Sequence, residues 1–162
     1  NEKSIINYKG SISIPPDYNT DLIQGVDKYI NILNEWLSYP ASNNQLFKEI
    51  GVEPIKSVIL HGNSGVGKTA IIYKFCKAHA LKFYTYICEE FQGNITEFLQ
   101  KLTIATQLYE PHIIILKNIG KILETSIIKD KDNICFKIFK ALTTVSKNAI
   151  ILATTNNMEK LQ

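Results

Sequence analysis

The sequence predicts an α/β fold in which helices cover both faces of a parallel sheet. Short apolar runs of strand length alternate with longer stretches that have apolar residues at helical spacing. The predicted strands are apolar almost throughout, which is typical of parallel strands buried between two helix layers. The chain has 162 residues, of which 45% are hydrophobic, and this is sufficient for one domain with a substantial core.

Before the sheet, the sequence predicts a leader and two helices. Residues 1–20 contain a Pro-Pro pair with polar flanks, so we expect a leader or linker there. Residues 26–37 have the apolar spacing of a helix that Pro40 ends. Residues 43–51 predict a short helix closed by a glycine.

Strands and helices then alternate along the rest of the sequence. Strands are predicted at 56–62, 81–87, 112–116 and 149–155, and helices at 69–80, 94–110 and 133–147. We expect Asn94 or Thr96 to cap the helix that begins nearby, because short polar side chains accept hydrogen bonds from the first backbone N–H groups. Residues 81–87 alternate mildly in polarity, so this strand is expected nearer an edge of the sheet.

The overall composition argues against several classes of protein. The formal net charge is only +3 and the lysines are spread along the chain, so we expect no nucleic-acid-binding surface. No apolar run has membrane-spanning length and the N-terminus lacks a signal-peptide core, so we expect no membrane span and a cytoplasmic location, with nuclear or organelle-surface association as alternatives. Cys76, Cys88 and Cys135 lack metal-ligand spacing and are expected to be reduced, buried thiols.

The stretch from Gly62 to Thr69 has the pattern G-x-x-x-x-G-K-[ST], with a predicted strand before it and a predicted helix after it. Glycines allow such a loop to turn its backbone N–H groups toward an anion, and the following helix adds its positive N-terminal end. Lys68 is expected to reach the β- and γ-phosphates, and the Thr69 hydroxyl to coordinate Mg²⁺. The sequence therefore predicts a P-loop NTPase three-layer sandwich that binds ATP or ADP. The expected contacts are Ser64, Gly65, Val66, Gly67, Lys68, Thr69 and Ala70.

Beyond this loop, several spaced segments resemble an AAA (AAA+) ATPase domain, and the resemblance spans about residues 20–162. Residues 23–27, Ile-Gln-Gly-Val-Asp, resemble the family's Ile-Gly-Gly-hydrophobic-Asp segment. The stretch "AIILATTNN" resembles the sensor-1 strand, with Asn156 in the sensor position. The resemblance implies that residues 21–162 are the large nucleotide-binding subdomain and that the helical lid is absent.

The same resemblance implies further contacts and partners. The nucleotide base is implied to contact Ile23, Gln24 and Gly25. Family members assemble with other AAA+ domains or subunits into a ring, a hexamer in the full protein, and many act on protein substrates. Phe91 stands where the family has a substrate-gripping pore residue, and ordinary packing is the alternative that we favour for it.

The strand predicted at 112–116 departs from the family where it ends. The family's Walker B strand ends in Asp-Glu, and the corresponding residues here are Lys117 and Asn118. The resemblance implies that the Asp holding Mg²⁺ and the Glu polarising the attacking water are both missing. We therefore expect Mg²⁺ to be held weakly and hydrolysis to be weak or absent. Lys117 either contacts the nucleotide as a counter-charge or is a solvated strand-end residue.

A degenerate Walker B beside an intact loop is typical of one ring in two-ring types, such as the first ATPase domain of the peroxisome-biogenesis AAA proteins.

Three other functions stay open on the sequence alone. An active ATPase domain would need a carboxylate from elsewhere, and Glu89, Glu90 and Asp130 are the candidates, although none is predicted at a strand end. A scaffold domain that binds no nucleotide is disfavoured by the intact loop. A small-molecule kinase is disfavoured because all 18 basic residues are lysine, and lysine lacks the bidentate fork with which arginine clamps a phosphate.

Overall fold

A parallel sheet forms the centre of the fold. The computed structural model describes residues 24–124, 131–143 and 148–157, so the predicted leader at 1–20 lies outside the described residues. The strands in these ranges are β1 (Ser57–His61), β2 (Lys82–Ile87), β3 (His112–Lys117) and β4 (Ala149–Thr155). All the pairings are parallel and the order of these strands is β1-β4-β3-β2. The predicted parallel α/β sheet is confirmed, and β2 lies at an edge of the described sheet, as its pattern predicts.

Helices fill the connections between the strands. They are α1 (Asp27–Leu33), α2 (Tyr39–Ser42), α3 (Asn44–Glu49), α4 (Lys68–His79), α5 (Ile95–Thr106), α6 (Gly120–Glu124) and α7 (Lys131–Thr143). A π-helical turn, Asn34–Ser38, joins α1 to α2, and a 3-10 turn, Cys88–Phe91, follows β2. The sequence did not predict α6 or the 3-10 turn, because each is too short to show a periodic apolar pattern. In the part of the chain that the structure describes, no helix is long and apolar enough to cross a membrane.

The first predicted helix does not end at Pro40. Its helical run continues from α1 through the π-helical turn into α2, where Pro40 is buried in the first turn. Just before the proline, Tyr39 N–H bonds to the carbonyl of Asn34, five residues back, so the hydrogen-bond ladder is already widened there. Proline is tolerated near the start of a helical segment because its missing N–H removes no bond that the segment needs. The predicted stop was therefore wrong, and Pro40 accompanies a change of helix type.

Helices pack on both faces of the sheet, and β3 shows this residue by residue. Ile113 and Ile115 belong to a cluster with Phe75 and other residues of α1 and α4. Ile114 and Leu116 belong to the cluster on the opposite face, with residues of α5, α6 and α7. All four strand residues are fully buried. Because successive residues of a strand point to opposite faces, this single strand supplies both layers of the core.

Helix α5 carries one confirmed and one corrected prediction. Asn94 is its N-cap, and its side-chain oxygen accepts from Glu97 N–H at 3.3 Å. The helix ends at Thr106, four residues earlier than predicted. Near this end Ala105 O accepts from a backbone N–H of the C-cap. The buried ring of His112 also places Nε2 at 2.7 Å from Ala105 O and Nδ1 at 2.6 Å from Glu110 O, and a neutral ring donates to one of these two carbonyls. A terminal carbonyl is thus satisfied without a further helical turn.

Phe91 is a core residue. It is 3% exposed and lies between the rings of Tyr86 and Phe98, with centroid separations of 6.3 and 5.5 Å. A side chain buried in this way cannot grip a substrate, so the packing interpretation is confirmed and the pore interpretation is wrong.

The predicted buried thiols are confirmed at two of the three positions. Cys76 and Cys88 are free and buried. Burial raises the pKa of the Cys76 thiol to about 12, and burial together with the neighbouring Glu89 raises the pKa of Cys88. Thiols kept protonated in this way are poor nucleophiles and poor metal ligands. The side chain of Cys135 lies outside the described residues.

Candidate nucleotide-binding site

The predicted parts of the site meet at the carboxyl edge of the sheet. The phosphate loop follows β1, Lys117 ends β3 with Asn118 directly after it, and β4 lies between these two strands. Backbone hydrogen bonds to β4 hold both the start of the phosphate loop and the residues that follow β3. Gly62 N–H donates to Thr155 O at 3.3 Å, and Ile119 N–H donates to Thr154 O at 2.9 Å. In open α/β sheets ligands bind outside this edge, so both parts face one candidate ligand site.

The loop adopts the shape that its glycines allow. Gly65 and Gly67 have φ of 82° and 93°, in the left-handed region that residues with a Cβ rarely adopt. Gly67 directly precedes α4, a helix of 12 residues whose positive N-terminal end therefore begins at the loop. Backbone N–H groups and a helix N-terminus together favour an anion, phosphate above all.

Lys68 lies folded into this loop. Its ammonium nitrogen donates to Gly62 O at 2.6 Å and to Asn63 O at 2.7 Å, and the residue is only 9% exposed. Desolvation lowers the pKa of Lys68, because burial disfavours the charged form. Charged acceptors form stronger hydrogen bonds than neutral carbonyls, so a phosphate is a better partner for this cation than its two present ones.

A cavity of about 310 Å³ opens beside the loop. Its walls come from α1, β1, the loop and the start of α4. The lining residues are Tyr29, Ile32, Leu33, Val58, Ile59, Leu60, His61, Val66, Lys68 and Ile71. An apolar cavity of this size with a few polar groups is typical of a small-molecule site.

The segment predicted to contact the base is described in part. Ile23 lies outside the described residues, and Gln24 and Gly25 are exposed just before α1. The next residue, Val26, is buried in a cluster with residues of α4, and an ion pair of 3.2 Å also ties α1 to α4. The segment is therefore anchored beside the helix that follows the loop. The cavity wall on this side comes from residues of α1, which the sequence motif alone did not indicate.

The other predicted contacts divide between the loop and α4. Ser64, Gly65 and Val66 are exposed on the loop, whereas Thr69 is half-buried in the first turn of the helix. The side chain of Ala70 is buried, so this residue can offer a ligand only its backbone.

The Mg²⁺ contacts that the sequence predicts are one hydroxyl, from Thr69, and no carboxylate from β3. Mg²⁺ prefers oxygen ligands, with carboxylates foremost among them. Thr69 supplies one hydroxyl, while Lys117 ends β3 half-buried and makes no ion pair with any residue that the structure describes. Between residues 24 and 157, the described portions contain no group of three His, Cys, Asp or Glu side chains able to hold a metal ion.

Asn118 adopts a left-handed backbone conformation, with φ of 56°. Asparagine tolerates this region better than most residues with a Cβ. Its backbone N–H donates to Thr154 Oγ1 at 2.9 Å, and its side-chain Nδ2 donates to Glu89 Oε1 at 2.5 Å. The side chain of Asn118 is therefore held against a carboxylate.

Glu89 lies two residues beyond the end of β2 at Ile87, so this candidate carboxylate is not itself at a strand end, as the sequence predicted. This half-buried residue lies in the 3-10 turn directly after β2, next to the end of β3. Its neighbour Glu90 is exposed, and Asp130 lies outside the described residues. The sequence could have placed Glu89 at this edge, because residues that follow parallel strands collect there, but it could not indicate the contact with Asn118.

Asn156 is exposed directly after β4, the strand between the phosphate loop and β3. The residue is therefore at the predicted edge of the sheet, and its sensor role stays a prediction.

A parallel sheet of this order, with a glycine-rich phosphate loop between β1 and α4, defines a P-loop nucleotide-binding protein. The family described as "ATPase family associated with various cellular activities (AAA)" matches residues 58–162. The chain therefore belongs to the AAA ATPase family, as its spaced motifs predicted.

Several curated proteins are similar to this chain. A proteasome-activating nucleotidase of Sulfurisphaera tokodaii is 34% identical over 76 residues, which are 47% of this chain and 19% of that protein. A 26S proteasome regulatory subunit 4 homolog of Encephalitozoon cuniculi is 28% identical over 104 residues, 62% of this chain and 24% of that protein. The ATPase family gene 2 protein of Saccharomyces cerevisiae is 24% identical over 154 residues, 89% of this chain and 20% of that protein.

The chain thus spans about a fifth to a quarter of the length of these relatives. The likeness to the peroxisome-biogenesis AAA proteins stays a prediction.

Proposed function

We propose that this chain is an ATP- or ADP-binding AAA+ domain of a ring-forming remodelling ATPase, and that its own hydrolysis is weak or absent. The observation that carries the binding is Lys68, a cation held by two carbonyls inside a complete phosphate loop and beside a cavity of about 310 Å³. Residues 21–162 are the proposed large nucleotide-binding subdomain.

In the proposed complex the phosphates occupy the loop. Lys68 leaves the carbonyls of Gly62 and Asn63 and bonds to the β- and γ-phosphates. Backbone N–H groups from Ser64 to Ala70 supply the remaining donors. The apolar cavity between α1 and β1 receives the base, whose edge faces the segment 23–25.

Weak hydrolysis follows from the end of β3. Phosphoryl transfer needs a positioned metal, an oriented water and neutralisation of the developing charge. A lysine near the metal position repels a divalent cation by on the order of a few kcal/mol at an effective dielectric near 20. Asn118 can bond to a water but cannot take its proton. We therefore propose that Lys117 replaces Mg²⁺ as a counter-charge for the phosphates.

The names of the relatives support a role in a ring that acts on proteins. Two of them are named as activating or regulating a proteasome. The 162 residues contain no arginine, so any arginine charge on this nucleotide is supplied by a neighbouring subunit or by another part of the protein. We propose that the nucleotide stabilises the domain and its contacts with neighbouring AAA+ subunits, a ligand effect that needs no hydrolysis.

Calorimetric titration with ADP and ATP tests the binding. We expect saturable binding by the wild type and its loss in Lys68→Ala, with Lys77→Ala as the matched control because Lys77 is exposed further along the same helix. Absence of binding to the wild type at millimolar nucleotide would overturn the proposal.

Phosphate release under the same conditions tests the second half of the proposal. We expect turnover far below about one per second, the low end of typical enzyme rates. Turnover at or above that rate which disappears in Lys68→Ala would refute weak hydrolysis and leave nucleotide binding intact.

A further inference from the structure

The contact between Asn118 and Glu89 joins the ends of β3 and β2. The amide Nδ2 of Asn118 donates to Glu89 Oε1 at 2.5 Å, across two strands that are paired along their whole length up to Ile87 and Lys117. The carboxylate of Glu89, in the turn after β2, is thereby held at the end of β3, where the family resemblance implies carboxylates that this sequence lacks.

Asn118 is in turn tied to the strand beside the phosphate loop. Its N–H donates to Thr154 Oγ1 at 2.9 Å, and Thr154 is 4% exposed on β4. Neighbouring strands lie roughly 5 Å apart, so β3 is about 10 Å from β1 and its loop. Two hydrogen bonds therefore run from β4 through Asn118 to Glu89, and they hold the carboxylate beside the end of β3.

The two glutamates of the 3-10 turn have different environments. Glu89 is half-buried and bonded to Asn118, whereas Glu90 is exposed. A carboxylate that only interacts with solvent, as the exposed Glu90 does, needs no amide partner at the end of another strand. The amide of Asn118 also suits an ionised Glu89, since its Nδ2 donates a hydrogen bond and an ionised carboxylate only accepts.

We propose that Glu89 is the carboxylate that acts on the attacking water at this site, and that Asn118 is its positioning residue. This inference rests on the proposed nucleotide binding. It assigns the weak hydrolysis to a side chain of the 3-10 turn after β2, in place of the carboxylate that the family resemblance implies at the end of β3.

The chemical step needs no other co-reactant than water. The water oxygen forms a bond to the γ-phosphorus while the bond from that phosphorus to the β–γ bridging oxygen breaks. ADP leaves with the electron pair of the broken bond. Glu89 takes a proton from the water and passes it to the released phosphate, so the carboxylate is regenerated.

The first experiment compares Glu89→Gln with the matched control Glu90→Gln, which removes the same charge from the same turn. Conversion of radiolabelled ATP is followed in a single turnover, with enzyme in excess and Mg²⁺ in the buffer, alongside calorimetric ATP affinity. General-base residues typically contribute roughly 10²- to 10⁴-fold, so we expect Glu89→Gln to slow conversion at least tenfold with unchanged affinity. Glu90→Gln should stay within twofold of the wild type.

The second experiment tests Asn118 as a positioning residue. Asn118→Leu should lower the rate constant for conversion while leaving ATP affinity within twofold. Asn118→Glu should also lower it, because two carboxylates then face each other. The exchange variant Glu89→Gln with Asn118→Glu restores an amide–carboxylate pair of opposite polarity, and we expect it to recover part of the activity lost in Asn118→Glu. A merely structural contact gives no such recovery of rate.

The outcomes separate this inference from the proposed function. Equal conversion by Glu89→Gln and the wild type overturns the inference, as does wild-type conversion no faster than that of Lys68→Ala. Both of these results leave the binding proposal standing when ATP still binds. Failure of ATP to bind overturns the proposed function itself. Native circular dichroism of each variant ensures that a loss of rate is not a loss of folding.

Discussion

The ends of β1 and β3 differ sharply, although both lie on the same edge of one sheet. The loop after β1 keeps every feature of a phosphate site: left-handed glycines, a helix N-terminus and a buried lysine. β3 keeps its backbone pairing and its fully buried residues up to Leu116, but Lys117 and Asn118 at its end are only half-buried.

This difference indicates that binding and hydrolysis make separate demands on the fold. Holding a phosphate requires backbone geometry and one cation, and both come from a continuous stretch of chain. Hydrolysis requires groups from several strands to converge within hydrogen-bond distance of the reacting atoms. A change at a single strand end can therefore weaken hydrolysis while the strand continues to stabilise the core.

The largest expected effect separates the structural role of β3 from its chemical role. Ile114→Ala should lower the free energy of unfolding by about 2–5 kcal/mol, because it leaves a cavity at a fully buried position. Lys117→Ala should change it by less than about 0.5 kcal/mol, since this half-buried side chain at the strand end leaves no core cavity and makes no ion pair with a described residue. Urea denaturation followed by circular dichroism measures both. Equal losses of unfolding free energy in Ile114→Ala and Lys117→Ala would show that Lys117 is as important for the stability of β3 as its core residue.

The second prediction concerns the loop. ADP at a free concentration 100 times its Kd should stabilise the domain by about 2.7 kcal/mol, because it binds the folded state alone. The stabilisation should disappear in Lys68→Ala and persist in Lys77→Ala. Thermal unfolding with and without ADP measures it. Persistence of the full shift in Lys68→Ala would contradict the assigned role of this lysine.

The third prediction concerns Mg²⁺ at the end of β3. The quantity to compare is the ratio of ATP affinity in Mg²⁺ buffer to ATP affinity in EDTA buffer. Lys117→Ala should raise this ratio about tenfold over the wild type, equal to about 1.4 kcal/mol, because a charge that repels Mg²⁺ is removed. Lys117→Asp should raise it further. Fluorescent-nucleotide titrations in the two buffers give the ratio. A ratio equal to that of the wild type would show that Lys117 does not lie near the metal position.

The smallest expected effect lies outside the site and serves as a reference for the other three. Asn94→Ala should cost about 1 kcal/mol of folding stability, because its side chain caps α5. Thr96→Ala is the matched control, since Thr96 is exposed and is not the capping residue. Nucleotide affinity should be unchanged in both variants. An effect of Thr96→Ala as large as that of Asn94→Ala would contradict the cap.

The sequence by itself was sufficient for the fold class, the order of the main elements and the phosphate loop. Apolar periodicity records which faces of an element are buried, and G-x-x-x-x-G-K-T records a local backbone shape. Both signals are contained in neighbouring residues. The prediction that Lys117 and Asn118 stand in place of an Asp-Glu pair could also be made from the sequence, because β3 is a single short segment.

Only the tertiary structure determined which groups meet at the ligand edge. Glu89 and Asn118 are 29 positions apart, and their contact depends on the pairing of β2 with β3. The cavity wall depends in the same way on how α1 packs against β1 and α4. Local periodicity contains no information on such distant pairings, because they follow from strand order and from the packing of helices across the whole sheet.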